Sequence, residues 1–322
     1  NTFASSPAKG YYNGTNPGDK SSVWQIIYAT DSRAHEPGMN TVVPFGYTSS
    51  TGHSTIGYIM GGASASIPWN GTFNSGSWVH KMTYATDTTS RIPANLPGPA
   101  TDRGTGSGAT VASSSGDTSG AAYLTAGQQW PSQGMRSFVW KMTYATETSS
   151  RLSEYVPGNP GGTSGTTAMT GHSEASAGYF AGGALSPGIA SGVLKFPWAT
   201  ETFASDGGSG MHRYGAGTGN QQAAYQGGGI IPAGGNVSNI RKFTYSTSTS
   251  SGVPATLSGT HPGPAPRQGN WGTGPRTCNL PAASAPLATP TSSITSVADS
   301  ALSVDGYWSG GKQSNQPSIY SV

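Results

Sequence analysis

The sequence predicts an all-β protein that is built from one repeated, strand-rich unit. Charged residues make up only 9% of the chain and 49 of its 322 residues are glycine, so good helix formers are scarce. No stretch has the 3.6-residue apolar period of an amphipathic helix, whereas several short segments alternate bulky residues with small or polar ones. Aromatic residues, at 10%, are more frequent than in disordered chains. We therefore expect a folded chain of strands and turns.

A nine-residue segment recurs along the chain and marks the repeat. Its five copies are Val23–Asp31, Val79–Asp87, Val139–Glu147, Val193–Glu201 and, more loosely, Asn239–Thr247. In the second copy the bulky residues Met82 and Tyr84 alternate with polar neighbours, and the later copies keep this pattern. A period of two places both bulky side chains on one face, so each copy is predicted to be a strand.

A Gly-Tyr-x-x-Gly-Gly element lies between these copies. It begins at Gly57, Ala122, Gly178, Ala224 and Gly306, with Gly10–Gly14 as a first copy and Gly269–Gly274 as a degenerate one. A short apolar strand closed by paired glycines indicates an inner strand that ends in a turn, because glycine accepts positive φ. Counting every copy gives seven units of about 46 residues, the usual length of a four-stranded propeller blade.

We predict a single β-propeller domain over residues 1–322, with seven four-stranded blades preferred and six as the alternative. A unit of this size buries both faces of its sheet only by stacking on its neighbours, and closing the stack into a ring removes exposed edges. Strands from both termini are expected to complete one blade. Ser318–Val322 has the pattern of a third strand, and Asn1–Ser5 is similar to Glu201–Ser205, which follows a third strand.

An acidic residue and an arginine follow the repeated tyrosine in the first three copies. The pairs are Asp31 with Arg33, Asp87 with Arg91, and Glu147 with Arg151. Because opposite charges on paired strands attract, we expect each pair to join the third strand to the fourth.

The ordered elements resemble two nested families. A Gly-Tyr-x-x-Gly-Gly strand, a Val-x-Lys-Met-Thr-Tyr-Ala-Thr-Asp strand and a Ser-Arg-x-Pro turn resemble the blades of kelch-type β-propellers. More closely, Lys81–Pro93 (KMTYATDTTSRIP) and Lys141–Leu152 (KMTYATETSSRL) resemble repeats of virion-associated tail-fibre or appendage proteins from cyanophages and other marine phages. The resemblance covers residues 10 to 260, and the Pro/Ala/Ser/Thr-rich segment His261–Asp299 departs from it.

The resemblance implies a non-enzymatic structural or adhesion protein on an extracellular virion surface. Its expected partners are other virion proteins and a host-surface polysaccharide. A free-standing lectin and a glycoside-processing propeller enzyme are the alternatives. Charge gives no support for nucleic acid as a partner, because the net charge of +3 is spread thinly without a basic run. Membrane insertion is not expected either, since no stretch approaches eighteen consecutive apolar residues.

Four residues are the candidate ligand contacts. Trp69 and Trp130 fall in loops after the glycine pairs, where an exposed ring could stack on the apolar face of a sugar. The alternative is that each tryptophan packs on the adjoining proline. His53 and His172 both stand in a Thr-Gly-His-Ser segment before the Gly-Tyr strand, as ligand contacts or as turn residues that bond their own backbone.

No residues are predicted to be catalytic, and neither a metal nor another cofactor is expected. The six histidines are scattered without a ligand-pair spacing. Kelch-like copper radical oxidases use a cysteine joined to a tyrosine, but the single cysteine, Cys278, lies in the least regular segment without a histidine pair. A glycosidase needs two carboxylates across one site, and four of the 13 acids already occupy the repeated turn position.

Overall fold

The structure, a computed structural model, describes a large part of the chain. The described residues are 2–5, 9–13, 23–27, 30, 32–40, 49–52, 56–60, 78–95, 113–116, 120–125, 137–157, 169–174, 176–185, 188–189, 192–211, 216–219, 222–228, 239–256, 307–309 and 319–321.

In the described part of the chain, five antiparallel sheets of four strands follow one another, which confirms the all-β prediction. Sheet 1 contains β1 (Thr2–Ser5), β2 (Lys9–Asn13), β3 (Val23–Ile27) and β4 (Ser32–His35). Sheet 2 contains β5 (Ser49–Gly52), β6 (Ile56–Met60), β7 (Trp78–Thr83) and β8 (Thr88–Asn95). Sheet 3 contains β9 (Ser113–Gly116), β10 (Ala121–Thr125), β11 (Phe138–Thr143) and β12 (Thr148–Tyr155).

Sheets 4 and 5 repeat this order, and three small elements complete the described structure. Sheet 4 contains β13 (Thr170–Ser173), β14 (Ala177–Ala181), β17 (Val193–Pro197) and β18 (Ala204–Ser205), and the hairpin of β15 (Ala184–Leu185) with β16 (Gly188–Ile189) lies between β14 and β17. Sheet 5 contains β19 (Ala216–Gly219), β20 (Ala223–Gly227), β21 (Asn239–Thr244) and β22 (Thr249–Thr256). The others are a 3₁₀ turn, η1 (Pro37–Met39), and a pair of β23 (Tyr307–Ser309) with β24 (Ile319–Ser321). No helix among the described residues is long and apolar enough to cross a membrane.

The two repeated sequence elements form the second and third strands of every sheet. Tyr58 of β6 pairs with Lys81 of β7, and the same register joins Tyr123 to Lys141. At the end of β14 the paired glycines Gly182 and Gly183 have φ of 67° and 118°, the conformation that favours glycine. The first strands of sheets 2 to 5 are short, rich in serine, threonine and glycine, and carry no pattern from which we predicted a strand.

The apolar core lies between consecutive sheets, because successive side chains of a strand point to opposite faces. In β6, Tyr58 and Met60 pack against sheet 3, while Ile59 packs in the cluster that also contains Tyr11 of sheet 1. In the third strand, Val79 and Met82 likewise face opposite neighbours. The predicted stacking of units is thus observed from sheet 1 to sheet 5.

The first strands of successive sheets lie side by side. Close contacts join β1 to β5, β5 to β9, β9 to β13 and β13 to β19, and β19 also contacts β23. The sheets therefore share one inner side, and the β23–β24 pair continues the series after sheet 5.

The N-terminal strand differs from the prediction that it completes the last blade. Thr2–Ser5 pairs with Gly10–Asn13 as the first strand of sheet 1, because a three-residue connection brings the two segments together as a hairpin. Ile319–Ser321 is a strand, as predicted for Ser318–Val322, and it pairs with Tyr307–Ser309. Ring closure and the number of blades stay predictions.

A glycine after the fourth strand of sheet 4 lets this sheet approach sheet 5. A Cβ atom on Gly208 would lie 2.7 Å from both Phe243 Cε2 and Val193 Cγ2, much closer than packed carbon atoms allow. The equivalent segment of sheet 1 is also close to its neighbour, since a Cβ on Gly38 would lie 2.5 Å from the backbone oxygen of Asp87. Small residues at these positions allow the sheets to pack.

Gly208→Ala is expected to destabilise the fold by about 1–3 kcal/mol, because the added methyl group overpacks the core between sheets 4 and 5. Urea unfolding followed by tryptophan fluorescence measures the change. Gly252→Ala is the matched control, since nothing lies within 4 Å of a Cβ on Gly252, which sits in exposed β22. Equal stability of the two variants would contradict the packing argument.

Candidate functional site

The most regular constellation in the described structure is an aromatic stack between each pair of adjacent sheets. The tyrosine of the second strand lies against the tyrosine or tryptophan that follows the third strand of the next sheet. The four pairs, with ring-centroid distances, are Tyr11–Tyr84 at 5.2 Å, Tyr58–Tyr144 at 5.2 Å, Tyr123–Trp198 at 5.3 Å and Tyr179–Tyr245 at 4.4 Å. All four are stacked, so one contact is repeated at every junction from sheet 1 to sheet 5.

An acidic residue from the same turn completes three of these junctions. The turn ends with Asp87, Glu147 or Glu201, each with φ near 50°. Lys9 Nζ lies 2.7 Å from Asp87 Oδ2, Lys81 pairs with Glu147, and Lys141 pairs with Glu201. In two cases the stacked tyrosine also donates to the acid, from Tyr11 Oη at 2.5 Å and from Tyr123 Oη at 2.6 Å.

The prediction that these acids pair with arginine in their own hairpin is therefore wrong for Asp87 and Glu147. The left-handed conformation of the turn points the carboxylate at the preceding sheet, where a lysine lies within reach. The Arg151 guanidinium instead lies 3.5 Å from the Phe138 ring centroid and donates to Tyr155 Oη. Asp31 and the side chain of Arg33 lie outside the described residues.

The junction between sheets 4 and 5 has the same ring stack, but its acid belongs to sheet 4 and not to the turn of sheet 5. Ser248 occupies the turn position, again with φ near 50°, and donates to Asp206 Oδ1 at 3.0 Å. Asp206 follows the last strand of sheet 4. Lys195 lies over Tyr179, 5.5 Å from the ring centroid, as Lys141 lies over Tyr123.

Burial and the neighbouring acids shift the pKa values of the junction groups. Burial, followed by the charge of Glu147, raises the pKa of Tyr58 to about 12. Burial, followed by the hydrogen bond to Asp87, raises the pKa of Tyr11 further. Burial works against ionisation of Glu201, but hydrogen bonds from Lys141 and Tyr123 outweigh it and lower the pKa of this carboxyl. Tyr11 and Tyr58 are therefore neutral, and Glu201 is a charged acceptor, at neutral pH.

Three of the four predicted ligand residues lie outside the described residues: Trp69, Trp130 and His53. The flanking strands show which connection of the sheet each residue belongs to. Trp69 and Trp130 belong to connections between second and third strands, and His53 belongs to one between a first and a second strand. In a four-stranded antiparallel sheet these connections start from opposite ends. Cys278 is also outside the described part of the chain.

His172 lies in strand β13 and not in a turn. It pairs with Tyr179 and its side chain is 0% exposed. The equivalent partner of Tyr58 is Thr51, so His53 and His172 do not share a repeat position as predicted. The reason is spacing, since His172 precedes its tyrosine by seven residues and His53 precedes Tyr58 by five. A ligand contact by His172 stays a prediction.

Every acidic side chain that the structure describes takes part in a hydrogen bond within the fold. Beside the junction acids, Glu36 accepts from Gln25, Glu154 accepts from the backbone nitrogen of Phe203, and Glu174 accepts from Ser176. Within the described ranges, no group of three or more His, Cys, Asp or Glu residues has a metal-binding arrangement. The described carboxylates hold turns and sheets together.

Glu201→Gln is expected to lower stability at pH 7 and to flatten its acid dependence. The unfolded glutamate titrates near 4.5 and the folded one lower, so its contribution is present above that range and is lost as pH falls through the folded pKa. Urea unfolding between pH 7 and pH 3 measures this. Lys141→Met removes the partner and should have a non-additive effect in a double-mutant cycle. Additive losses would show that the two groups do not interact.

His80 in β7 should make stability depend on pH in a second window. Burial and then the charge of Arg91 lower the pKa of His80 to about 4, whereas the unfolded side chain titrates near 6.5. Between these values the unfolded state binds more protons, so stability falls as pH falls from 6.5 to 4. His80→Leu, which introduces the residue found at the equivalent position 194, should remove this decline. Identical pH profiles of stability would refute the assignment.

Comparisons with known proteins leave the family open. No protein-family model matches the chain, and no curated protein is similar to it. The likeness to kelch-type blades and to phage virion proteins therefore rests on the residues quoted above.

Proposed function

We propose that this chain is a non-enzymatic structural and adhesion protein of a phage particle, with a kelch-like β-propeller that presents loops to a host-surface glycan. The observation that carries the proposal is the repeated junction of stacked rings. It fixes at least five consecutive sheets relative to one another and leaves the connections between strands to vary. A rigid scaffold with variable loops is the common architecture of binding proteins.

The arrangement of first strands supports the propeller. Each first strand contacts the first strand of the next sheet from β1 to β19, and β19 also contacts β23. Sheets that share one inner side and pack face to face fan out around an axis, as the blades of a propeller do. We propose seven blades, with six as the alternative, and closure of the ring between the first and last blades.

The connections between second and third strands are the proposed binding loops. In sheet 4 this connection contains the β15–β16 hairpin and is closed at its base by the Gly182 nitrogen, which donates to the Gly192 oxygen at 3.0 Å. Trp69 and Trp130 belong to the corresponding connections of sheets 2 and 3. Aromatic residues in these connections would suit a carbohydrate ligand, since sugars stack on aromatic rings.

The charges of the described residues support a scaffold more than a catalytic role. The junction acids and the other described carboxylates all accept hydrogen bonds from the fold. A glycosidase would need two acids that face one cleft across a sugar. The proposed location is the outer surface of a virion, where other virion proteins would be the second class of partner.

Glycan-array binding of the isolated chain tests the adhesive function. We expect selective binding to bacterial surface polysaccharides and its loss in the Trp69→Ala/Trp130→Ala variant, because the stacking surfaces are removed. The Trp69→Phe/Trp130→Phe variant is the matched control and should keep most of the binding, since an aromatic face remains. Absence of binding by the wild-type chain, or binding unchanged in the alanine variant, would contradict the proposal.

A further inference from the structure

One cross-strand pair near the end of the second strand is polar in sheet 5 and mainly apolar in the other sheets. It stands one residue after the repeated tyrosine, and in sheet 5 it consists of Gln226 and Arg241. The equivalent pairs of sheets 1 to 4, in order, are Tyr12–Trp24, Ile59–His80, Leu124–Trp140 and Phe180–Leu194. Of the five sheets, sheet 5 therefore brings a guanidinium and an amide to a position where the others place at least one apolar side chain.

The amide of this pair is held by the fold. Gln226 is 0% exposed, and its Nε2 donates to Thr170 Oγ1 of sheet 4 at 3.0 Å. Thr170 Oγ1 donates in turn to the Ala181 oxygen at 3.3 Å. Side chains that stand directly opposite each other on paired strands leave the sheet on the same face. Gln226 and Arg241 therefore both face sheet 4.

The guanidinium of this pair has no partner in the described part of the chain. Arg241 is partly buried, and its Nε atom is fully buried without a hydrogen bond. Every described lysine, by contrast, pairs with an acid or lies over a tyrosine ring. Asp206, four residues before Gly210, accepts from Ser248 instead. Removing a charge from water is costly unless an opposite charge or a hydrogen bond faces it, so an external anion would stabilise Arg241.

The backbone at Gly210 fixes one side of this guanidinium. Gly210 has φ of 75°, and a Cβ atom at this position would lie 3.1 Å from Arg241 Nη2 and 3.2 Å from Arg241 Cζ. A side chain at position 210 would displace the guanidinium, whereas glycine lets it lie against the backbone. A charged group that is held in place before binding loses little freedom when an anion binds.

A second polar atom without a partner lies two residues before Arg241. Asn239 Oδ1 is buried and has no hydrogen bond among the described residues. Ile240, between them, packs with Tyr225 on the other face, so Asn239 and Arg241 share the face toward sheet 4. Asn239 begins β21, and its backbone oxygen accepts from the Gly228 nitrogen at 3.1 Å. A cationic donor and an acceptor thus stand together at the base of the connection between the second and third strands of sheet 5.

We propose that Arg241 and Asn239 bind one sugar of an acidic polysaccharide, with the guanidinium on its carboxylate and Asn239 Oδ1 accepting from a hydroxyl. Arginine donates two parallel hydrogen bonds to a carboxylate, and such charge-assisted bonds are stronger than neutral ones. A uronate sugar carries a carboxylate beside hydroxyl donors and so matches both groups. The anion site rests on the contacts of Arg241, whereas the choice of a polysaccharide as carrier of the carboxylate rests on the proposed function.

Titration of the full chain with trigalacturonate, followed by calorimetry, tests the proposal. We expect saturable binding that weakens about tenfold or more in Arg241→Leu, because a charge-assisted pair is lost. Asn239→Ala removes one neutral acceptor and should weaken binding by about threefold. Arg241→Lys should bind more weakly than the native chain, since lysine lacks the planar fork. The fully methyl-esterified trisaccharide has the same rings without the charges, and it should bind the native chain about tenfold more weakly or worse.

Two controls separate binding from folding. Arg241→Leu introduces the residue at the equivalent position 194, and its urea midpoint should equal or exceed that of the native chain, because a partly buried charge without a partner is removed. Lys242→Met is the matched control for charge. It removes one positive charge from the adjacent residue, whose ammonium lies over the Tyr225 ring on the other face, so trigalacturonate binding should be unchanged.

Four results would overturn the proposal. They are no binding of trigalacturonate at millimolar concentration, binding that Arg241→Leu leaves unchanged, a lower urea midpoint of Arg241→Leu, and equally tight binding of sulfate or of a triglutamate peptide. The third would show that the guanidinium stabilises the fold, and the fourth that the site does not select a saccharide.

Failure of this site and failure of the proposed function are distinguishable. Glycan-array binding that is lost in the Trp69→Ala/Trp130→Ala variant and kept in Arg241→Leu would retain the adhesive function and reject the Arg241 site. Trigalacturonate binding that depends on Arg241, with array binding unchanged in the tryptophan variant, would reject the tryptophan connections and retain the Arg241 site.

Discussion

The stacking of a second-strand tyrosine on the turn of the next sheet is the contact on which the rest of this structure depends. Each strand alternates its side chains between two faces, so a four-stranded sheet with apolar residues on both faces is stable only between two neighbours. The repeated ring pairs set the distance and orientation of those neighbours. The cores between sheets, such as the one around Met60 and Trp140, form because this spacing is fixed.

The acid at the end of the turn determines that the turn binds the preceding sheet. A carboxylate in a left-handed residue points away from its own hairpin toward the preceding sheet, where a lysine and a neutral tyrosine receive it. Because these pairs are only partly exposed, water screens them less than it screens surface ion pairs. At the junction of sheets 4 and 5, the turn residue is Ser248 and the acid is Asp206 of the preceding sheet. The acid of a junction can therefore come from either of the two sheets.

Much of the repeat could be recognised in the sequence for a physical reason. Period-two alternation in segments such as Lys81–Tyr84, and glycine pairs such as Gly182 and Gly183, depend on local backbone geometry. The second and third strands of all five sheets follow from these signals. The first strands of sheets 2 to 5 did not, because short segments such as Ser113–Gly116 lack bulky residues and are strands only through pairing with β10.

The partners of side chains were decided by the tertiary structure. Sequence proximity suggested that Glu147 pairs with Arg151, but the ion pair forms with Lys81, 66 residues away in the chain. The likeness of Thr2–Ser5 to a fourth strand was outweighed by the short connection to β2. His172 lost its apparent equivalence to His53 because two extra residues shift the strand register.

The sequence by itself determined the all-β class and the repeated unit, since these depend on neighbours along the chain. Which charges, rings and strands meet was decided only when the sheets packed, because those contacts join segments that are far apart in sequence.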